Sequence, residues 1–396
     1  MPPVGLLGSA LFPTDRGHVM RPDASRASCG WLLVAFVLLA AAGKAVAQPL
    51  DSASPGITSI NPAANGSDST AISAGPFSDD VTVLTVGQRA VRWSEFRFWL
   101  VYLGRYYKTA HALSTIENWH VQQNGAALRD WFLSAATGYV CNDTAIEEQA
   151  AAAGIQLTPE DLAEQARIRA DNIRIYGSYS EYLRIVAAMY GSEAQFQYLA
   201  KIDRLSAYLF ARLYGSGGEQ CSDECVGNYI ESQGLAAVLY IFRARSDTVT
   251  HKLATPQRRR SDYRLLQRLH AQLQASEAPT ALFPKLMSLY SDDKSLADYP
   301  EGRILARDAK GPEFDAAIRS LSDNAYSDVI NAPDGYYLIL RKPLSATTAV
   351  DTSGMTLRYW AAYESLFKAQ IGSWCADLPI KYTDSYQHID VEGLLR

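Results

Sequence analysis

The chain has 396 residues with a formal net charge of −5, from 37 basic and 42 acidic side chains. Binding to nucleic-acid phosphates needs a basic surface, so this acidic balance argues against a nucleic-acid-binding function. The length predicts about two domains at ~150 residues each.

The N-terminal segment has the three-part layout of a secretory signal peptide. Arginines precede the apolar run 30–42, and the small-x-small sequence AVA follows at 45–47. The run is shorter than the ~20 residues of a membrane span. We predict that residues 1–47 are a signal peptide and that the rest of the chain is extracytoplasmic. The alternative, because Lys44 lies close to the cleavage site, is an uncleaved anchor that associates the protein with a membrane.

The next segment, 48–80, is rich in Ser, Pro, Gly, Asn and Ala and has hardly any bulky apolar side chains. Such a segment cannot bury enough surface to offset its chain entropy, which predicts a disordered linker. The folded part begins at 81–86, where VTVLTV alternates as a strand does. Helical spacing then dominates 81–234, and Thr158 followed by Pro159 and two acids predicts a helix start.

The spacing of the apolar residues changes from position 235 onward. The pattern predicts one strand, then helices, then two strands, at 235–243, 258–274, 280–290, 311–318, 325–330 and 335–341. This order makes a small α+β domain, 235–343.

The C-terminal segment 344–396 becomes helical again. Its helix, 356–374, has one apolar stripe, formed by Leu357, Trp360, Phe367, Ile371 and Trp374. A single amphipathic helix is not stable alone in water, so we expect it to pack against the N-terminal helices. The predicted fold class is therefore α+β: a mainly helical domain, made of N- and C-terminal parts together, with an inserted α+β domain.

Four cysteines follow the predicted cleavage site: Cys141, Cys221, Cys225 and Cys375. An even number in an exported chain permits disulfides. Ser222 has the character of a helix cap, so Cys221 and Cys225 would flank a helix start within bridging distance. A Cys221–Cys225 disulfide and two free buried thiols both remain open. A zinc site needs four ligands, and no partner pair accompanies this spacing.

Motifs of hydrolases, metalloenzymes and nucleotide-binding proteins are missing from the sequence. The histidines show neither H-x-x-x-H nor H-E-x-x-H spacing, and there is no G-x-S-x-G or phosphate loop. We predict no metal and no cofactor.

Three segments of the α+β domain resemble, in order and spacing, the parvulin family of peptidyl-prolyl isomerases. They are YSDDKS at 290–295, PEFDAA at 312–317 and GYYLIL at 335–340. In addition, 83–100 is similar to the strand-then-helix opening of the SurA/PrsA chaperone domain. The resemblance covers nearly all of the chain after about Val81. It implies a bacterial extracytoplasmic foldase of the PrsA/SurA type, with an inserted parvulin-like domain.

The positions at which this sequence differs from the parvulin pattern include those of the active-site residues. The resemblance places Leu239 and Tyr337 at the two positions where the family has active-site histidines. It places Lys310 at the apolar position that contacts proline, Phe314 at the floor of the proline pocket, and Asp293 at the Cys/Asp position. The implied site is therefore degenerate: Asp293 and Tyr337 at catalytic positions, and Phe314, Leu239 and Lys310 at substrate-binding positions. The plainer alternative is that Phe314 is a core residue and Asp293 a turn residue.

Two functions follow as hypotheses. In the first, the protein is a chaperone that binds unfolded or nascent exported polypeptides, and its parvulin-like domain has lost most isomerase activity. Some aromatic residues of the N-terminal segment would then line a client groove, while about half of them must belong to the core: Trp99, Tyr102, Tyr106, Tyr107, Trp119, Trp131 and Phe132. In the second, the protein is an active isomerase in which Asp293, Tyr337 and Tyr240 replace the histidines. The sequence leaves open whether the chain forms a homodimer.

Overall fold

The structure, a computed structural model, describes residues 77–246, 252–299, 301–350 and 354–396. The predicted signal peptide, 1–47, and all but the last residues of the predicted linker, 48–80, lie outside the described residues. Within the described ranges, no helix is long and apolar enough to cross a membrane.

Helices make up most of the described chain. The α-helices are α1 Trp93–Ala110, α2 Leu128–Ala152, α3 Pro159–Tyr176, α4 Tyr179–Tyr190, α5 Glu193–Tyr214, α6 Asp223–Gln233, α7 Pro256–Gln274, α8 Pro279–Tyr290, α9 Pro312–Ser320, α10 Leu357–Ala361, α11 Lys368–Ala376, α12 Asp384–Gln387 and α13 Val391–Leu395. A 3₁₀ turn spans Ser295–Asp298, and a π-helical turn, Ala362–Phe367, joins α10 to α11.

The strands are short apart from two. They are β1 Thr82–Val86, β2 Arg89–Arg92, β3 Gln122–Gln123, β4 Ala126–Ala127, β5 Ala236–Ala244, β6 Arg303–Leu305, β7 Ile330–Ala332, β8 Gly335–Lys342 and β9 Ile380–Tyr382. The predicted fold class is confirmed: the described chain is a mainly helical α+β protein with small sheets.

The chain divides into two compact units. One is formed by the described residues up to Leu213 together with Leu366–Arg396, and the other is Tyr214–Ser365. The first unit thus combines N- and C-terminal segments, and the second contains the predicted α+β domain with α6 and α10 added. The domain boundaries predicted at 235 and 343 remain a prediction.

The first unit is held together by pairing between distant parts of the chain. Its sheet has the order β2-β1-β9, and β1 pairs antiparallel with β9 through Leu84 and Tyr382. Helices α1 and α2 pack against each other, and α11 packs on α2. Trp99 and Phe132 are fully buried in the core, which Leu395 of α13 completes.

The start of α3 follows from its sequence. The Thr158 hydroxyl accepts a hydrogen bond from the Asp161 amide, and the Asp161 carboxylate accepts one from the Thr158 amide. Pro159 occupies the first helical position, where a missing N–H costs nothing. The helix ends at Gly177, whose φ of 83° is a left-handed conformation that glycine adopts without strain.

The second unit is built on an antiparallel sheet with the order β6-β5-β8-β7. Strand β5 lies in the interior and pairs with β8 from Ala237 to Ala244. The sequence pattern missed β6, which has only three residues. It also predicted a strand at 325–330, where Tyr326 makes a single bridge to Leu340 and regular pairing begins only at Ile330.

The C-terminal apolar stripe is divided between the two units. Leu357 is buried in α10, which packs on α6, where Arg358 also forms an ion pair with Asp223. At the end of the π-helical turn, Phe367 packs its ring 5.5 Å from that of Phe210 in α5, within the first unit. A π turn inserts one extra residue into a helix, so that the side chains after it point in a different direction from those of a regular α-helix. The single apolar stripe that the sequence suggested is therefore interrupted.

Candidate functional site

The candidate site lies on one face of the sheet of the second unit. Residues on a strand alternate between its two faces, and directly paired residues share a face. Phe242 of β5 pairs with Tyr337 of β8, and Tyr240 pairs with Ile339. Tyr240, Phe242 and Tyr337 therefore lie on the same face.

Helix α9 covers this face with Phe314. The Phe314 ring packs edge-on at 4.9 Å from the Tyr337 ring and at 5.7 Å from the Tyr240 ring. The rings of Tyr240 and Tyr337 are 5.6 Å apart, also edge-on, and Phe242 stacks on Tyr337 at 4.6 Å. Such geometries are favourable for aromatic pairs. We call Tyr240, Phe242, Phe314 and Tyr337 the aromatic cluster.

A carboxylate adjoins the cluster. Tyr240 Oη donates a hydrogen bond of 2.6 Å to Asp293 Oδ2, while the Ser295 hydroxyl and amide donate to Asp293 Oδ1 at 2.6 and 3.1 Å. Burial opposes the charge of Asp293, but the hydrogen bonds from Ser295 and Tyr240 and the positive charge of Lys310 outweigh it, so that the pKa of Asp293 is lowered. Asp293 is therefore an ionised acceptor at neutral pH.

Lys310 closes the cluster on another side. Its Nζ lies 4.8 Å from the centre of the Tyr240 ring and 6.0 Å from that of Tyr337. Burial lowers the pKa of Lys310, against the opposing effect of Asp293. The ammonium thus packs on ring faces, a cation–π arrangement, where the parvulin pattern has an apolar contact to proline.

The hydroxyl of Tyr337 is also occupied. It donates to Asp334 Oδ2 on the turn that precedes β8. Burial and this hydrogen bond raise the pKa of Tyr337, and burial together with Asp293 raises the pKa of Tyr240. Both phenols therefore stay protonated at physiological pH, and each donates its proton to a carboxylate.

The structure does not bring Leu239 into the cluster. Leu239 shares the opposite face with Arg243 of the same strand, which binds Asp262 of α7, and with Tyr336 of β8, which packs on Tyr263 of α7. The strand position beside Asp293 is occupied by Tyr240, one residue further along. Of the five predicted site residues, the structure brings together four: Asp293, Lys310, Phe314 and Tyr337.

The side chains of the aromatic cluster pack against one another and leave little room for a substrate. Phe314 is 1% exposed, and Tyr240 and Tyr337 are fully buried. Each phenol donates its proton to a carboxylate of the same unit. A proline side chain could reach Phe314 only if the cluster opened.

Of the cysteines that the structure describes, two are joined in a disulfide and two are free. Cys221 and Cys225 form a disulfide at the start of α6, where the Ser222 hydroxyl caps the helix by accepting from the Cys225 amide. Cys141 and Cys375 are free. In the described residues, no group of three or more His, Cys, Asp or Glu side chains is placed to hold a metal ion.

The aromatic residues expected to line a client groove belong mostly to the core of the first unit. Trp99 and Phe132 are fully buried, and Tyr107, Trp119 and Trp131 are each 7% exposed. Five of the seven residues are therefore core residues, where about half were expected, because these rings pack against each other. The three- and four-residue spacing of apolar residues in α1 and α2 does not indicate which aromatic positions are completely covered.

Exposed apolar side chains, which the sequence did not reveal, lie on the hairpin of α3 and α4. Leu162 and Ile175 are each 55% exposed, and Tyr179 is 45% exposed. The hairpin has a small core around Tyr182 and Val186. Half-buried apolar side chains surround that core: Ile173, Tyr176, Leu183, Ile185, Met189 and Tyr190.

Comparisons with known proteins give similarity at the level of solved structures. No protein-family model matches the chain, and no curated protein matches it. The structure of PrsA from Bacillus subtilis matches with 15% identity and a TM-score of 0.29, over 64% of this chain and 86% of that one. Foldase protein PrsA from Streptococcus pneumoniae matches with 12% identity and a TM-score of 0.32, over 68% and 97%.

A structure of SurA-like chaperones from Campylobacter jejuni matches with 11% identity and a TM-score of 0.23, over 77% of this chain and 99% of that one. Scores of this size describe partial matches, so the fold class rests on the helices and strands themselves. Foldases of the PrsA type and SurA-like chaperones are thus among the solved structures to which this chain is similar.

Proposed function

We propose that this protein is an extracytoplasmic chaperone that binds unfolded exported polypeptides, and that its parvulin-like domain has lost most isomerase activity. The proposed loss of isomerase activity is supported by one observation, the closed aromatic cluster. Phe314, which would form the floor of a proline pocket, is 1% exposed beneath Tyr240 and Tyr337.

Isomerase activity requires the site to lower a rotation barrier of ~18–20 kcal/mol. An enzyme does this by binding the proline and by stabilising the twisted peptide bond with suitably placed polar groups. Here the hydroxyls of Tyr240 and Tyr337 already donate to Asp293 and Asp334, and Lys310 lies over the two rings. The polar groups of the site satisfy one another, which supports a structural role for them.

The chaperone part of the proposal is supported by the α3–α4 hairpin. Exposed Leu162, Ile175 and Tyr179 lie on a hairpin whose own core is small. Apolar side chains of this kind bind the apolar segments that unfolded polypeptides expose, without requiring a particular sequence. Met189, which packs against the small core of the hairpin, is a flexible side chain suited to varied partners.

An aggregation assay tests the chaperone function. The protein, at equimolar ratio, should suppress light scattering by an unfolded model substrate that contains no proline, so that isomerisation cannot contribute. The variant Leu162→Ser/Ile175→Ser should suppress aggregation several-fold less well. The matched control is Leu253→Ser/Leu289→Ser in the second unit, two leucines that are 77% and 70% exposed.

The two variants distinguish specific binding from general hydrophobicity. Equal loss in both would show that the hairpin is not the client surface. No suppression by the unmodified protein at equimolar ratio would contradict the chaperone proposal itself.

The second candidate function, an active isomerase, is favoured by one observation: Phe314 and Asp293 are retained and lie beside Tyr240. A protease-coupled assay with a proline peptide separates the candidates. We expect a rate equal to the uncatalysed one. A clear enhancement that disappears in Phe314→Ala would establish the isomerase instead.

A further inference from the structure

Two free cysteines of the first unit lie against each other across a helix contact. Cys141 is on α2 and Cys375 is on α11, and these helices pack together. Cys141 Sγ lies 3.6 Å from the Cys375 carbonyl oxygen, and Cys375 Sγ lies 3.0 Å from Asn142 Oδ1. The neighbouring thiol lowers the pKa of Cys141, and the interaction with Cys141 raises the pKa of Cys375.

The cysteines can be reached from solvent. Both line one open cavity of about 550 Å³ on the surface of the first unit, which is also bordered by Gly138 and Gly372. Cys375 is half-buried, whereas Cys141 is buried at the base. Because glycines form part of the wall, a small reagent can approach the sulfur atoms from this side.

We infer that Cys141 and Cys375 form a second disulfide when the protein meets a disulfide oxidant, so that α2 becomes covalently joined to α11. The bond would tie the C-terminal segment to the N-terminal helices within one unit. This inference concerns the first unit alone and does not depend on the chaperone proposal. Extracytoplasmic compartments supply oxidants of this class.

The chemistry is ordinary thiol–disulfide exchange. With oxidised glutathione as the oxidant, one cysteine thiolate attacks a glutathione sulfur and releases one glutathione thiolate, which leaves a mixed disulfide. The second cysteine thiolate attacks the protein sulfur of that mixed disulfide and releases the second glutathione. The two cysteine protons pass to the two glutathione thiolates, so that two protein thiols are oxidised and one glutathione disulfide is reduced.

Peptide mapping of the full chain tests the inference directly. The reduced protein is incubated with oxidised glutathione, the remaining thiols are alkylated, and trypsin is added without reductant. The expected product is peptide 130–167 linked to peptide 369–381, which carry Cys141 and Cys375. Cys221 and Cys225 share peptide 213–243, so their bond cannot be mistaken for the new one.

Several outcomes would overturn the inference: alkylated Cys141 and Cys375, glutathione left on either residue, or a bond from either to another cysteine. A non-reducing gel gives a second readout, because a link between positions 141 and 375 makes the denatured chain more compact. The faster band should persist in the variant Cys221→Ser/Cys225→Ser and be lost in Cys375→Ser. Its persistence in Cys375→Ser would also overturn the inference.

Discussion

Tyr240 Oη donates a 2.6 Å hydrogen bond to Asp293 Oδ2 across 53 residues of sequence. The bond joins the interior strand β5 to the segment that follows α8. Asp293 is held ionised by this hydrogen bond and by those from Ser295, against the effect of burial. A bond of this kind, with a charged acceptor, is stronger than one between neutral groups.

Removing this hydroxyl should destabilise the second unit. We expect Tyr240→Phe to reduce its free energy of unfolding by about 1–3 kcal/mol, because a partly buried carboxylate loses one donor while the ring packing stays. The measurement is hydrogen exchange of the β5 amides, Ala236–Ala244. Tyr263→Phe, which alters a tyrosine that is 36% exposed on α7, is the matched control and should change exchange little. Equal effects of the two changes would contradict this prediction.

A buried acid in the first unit predicts a pH dependence of stability. Burial raises the pKa of Asp143 well above its usual range, and the neighbouring Glu95 adds to this, while Arg89 and Trp99 oppose it. The folded chain therefore favours the protonated form. The contribution of Asp143 to stability is therefore fully present below the pKa of about 3.9 that the carboxyl has in the unfolded chain. This contribution is lost as the pH rises through the pKa of Asp143 in the folded chain.

The variant Asp143→Asn isolates this effect, since an amide does not titrate. We expect the stability of the variant relative to the unmodified protein to increase from acidic to neutral pH and then to level off. Denaturant unfolding at a series of pH values measures it. The matched control, Asp377→Asn, makes the same change at an exposed acid of the same unit. A flat difference for Asp143→Asn would mean that the buried carboxyl does not titrate differently in the folded state.

The C-terminal segment should be required for the first unit. A chain that ends after Ser365 lacks β9, which pairs with β1, and lacks the buried side chains of Ile389, Val391 and Leu395. Each such side chain contributes about 1.5–3 kcal/mol, so the loss is comparable with the whole stability of a domain. We expect calorimetry to show that the melting transition of the first unit disappears. A truncated chain that keeps all transitions of the full chain would exclude this role.

Two glycines of the first unit should respond in opposite ways to alanine. At Gly104, on α1, a Cβ would lie 2.8 Å from Leu395 Cδ2, and Leu395 is only 4% exposed. At Gly138, on α2, a Cβ would meet nothing within 4 Å. Gly138→Ala should stabilise by about 0.5–1 kcal/mol through reduced chain entropy, whereas Gly104→Ala should destabilise because α13 must shift. Thermal denaturation compares them, and a larger gain at position 104 would contradict the close packing.

The sequence by itself determined those features that depend on neighbours within a few residues. The cap of α3 is local, because the hydrogen bonds between Thr158 and Asp161 lie within four residues. The strand at 82–86 and the element order of the second unit, apart from β6, follow from the spacing of apolar residues within short segments. The positions of Asp293, Phe314 and Tyr337 in one cluster also followed from the ordered resemblance, although what the cluster does was not fixed by it.

Only the tertiary structure decided which face of β5 carries the site. The strand, AAVLYIFRA, is almost continuously apolar and buried on both faces, so it has no alternation from which to tell Leu239 from Tyr240. A shift of one residue moves a side chain to the other face of a sheet. The pairing of β1 with β9 and the contact between Cys141 and Cys375 likewise join segments more than 200 residues apart, which no local pattern specifies, because such contacts depend on how the whole core packs.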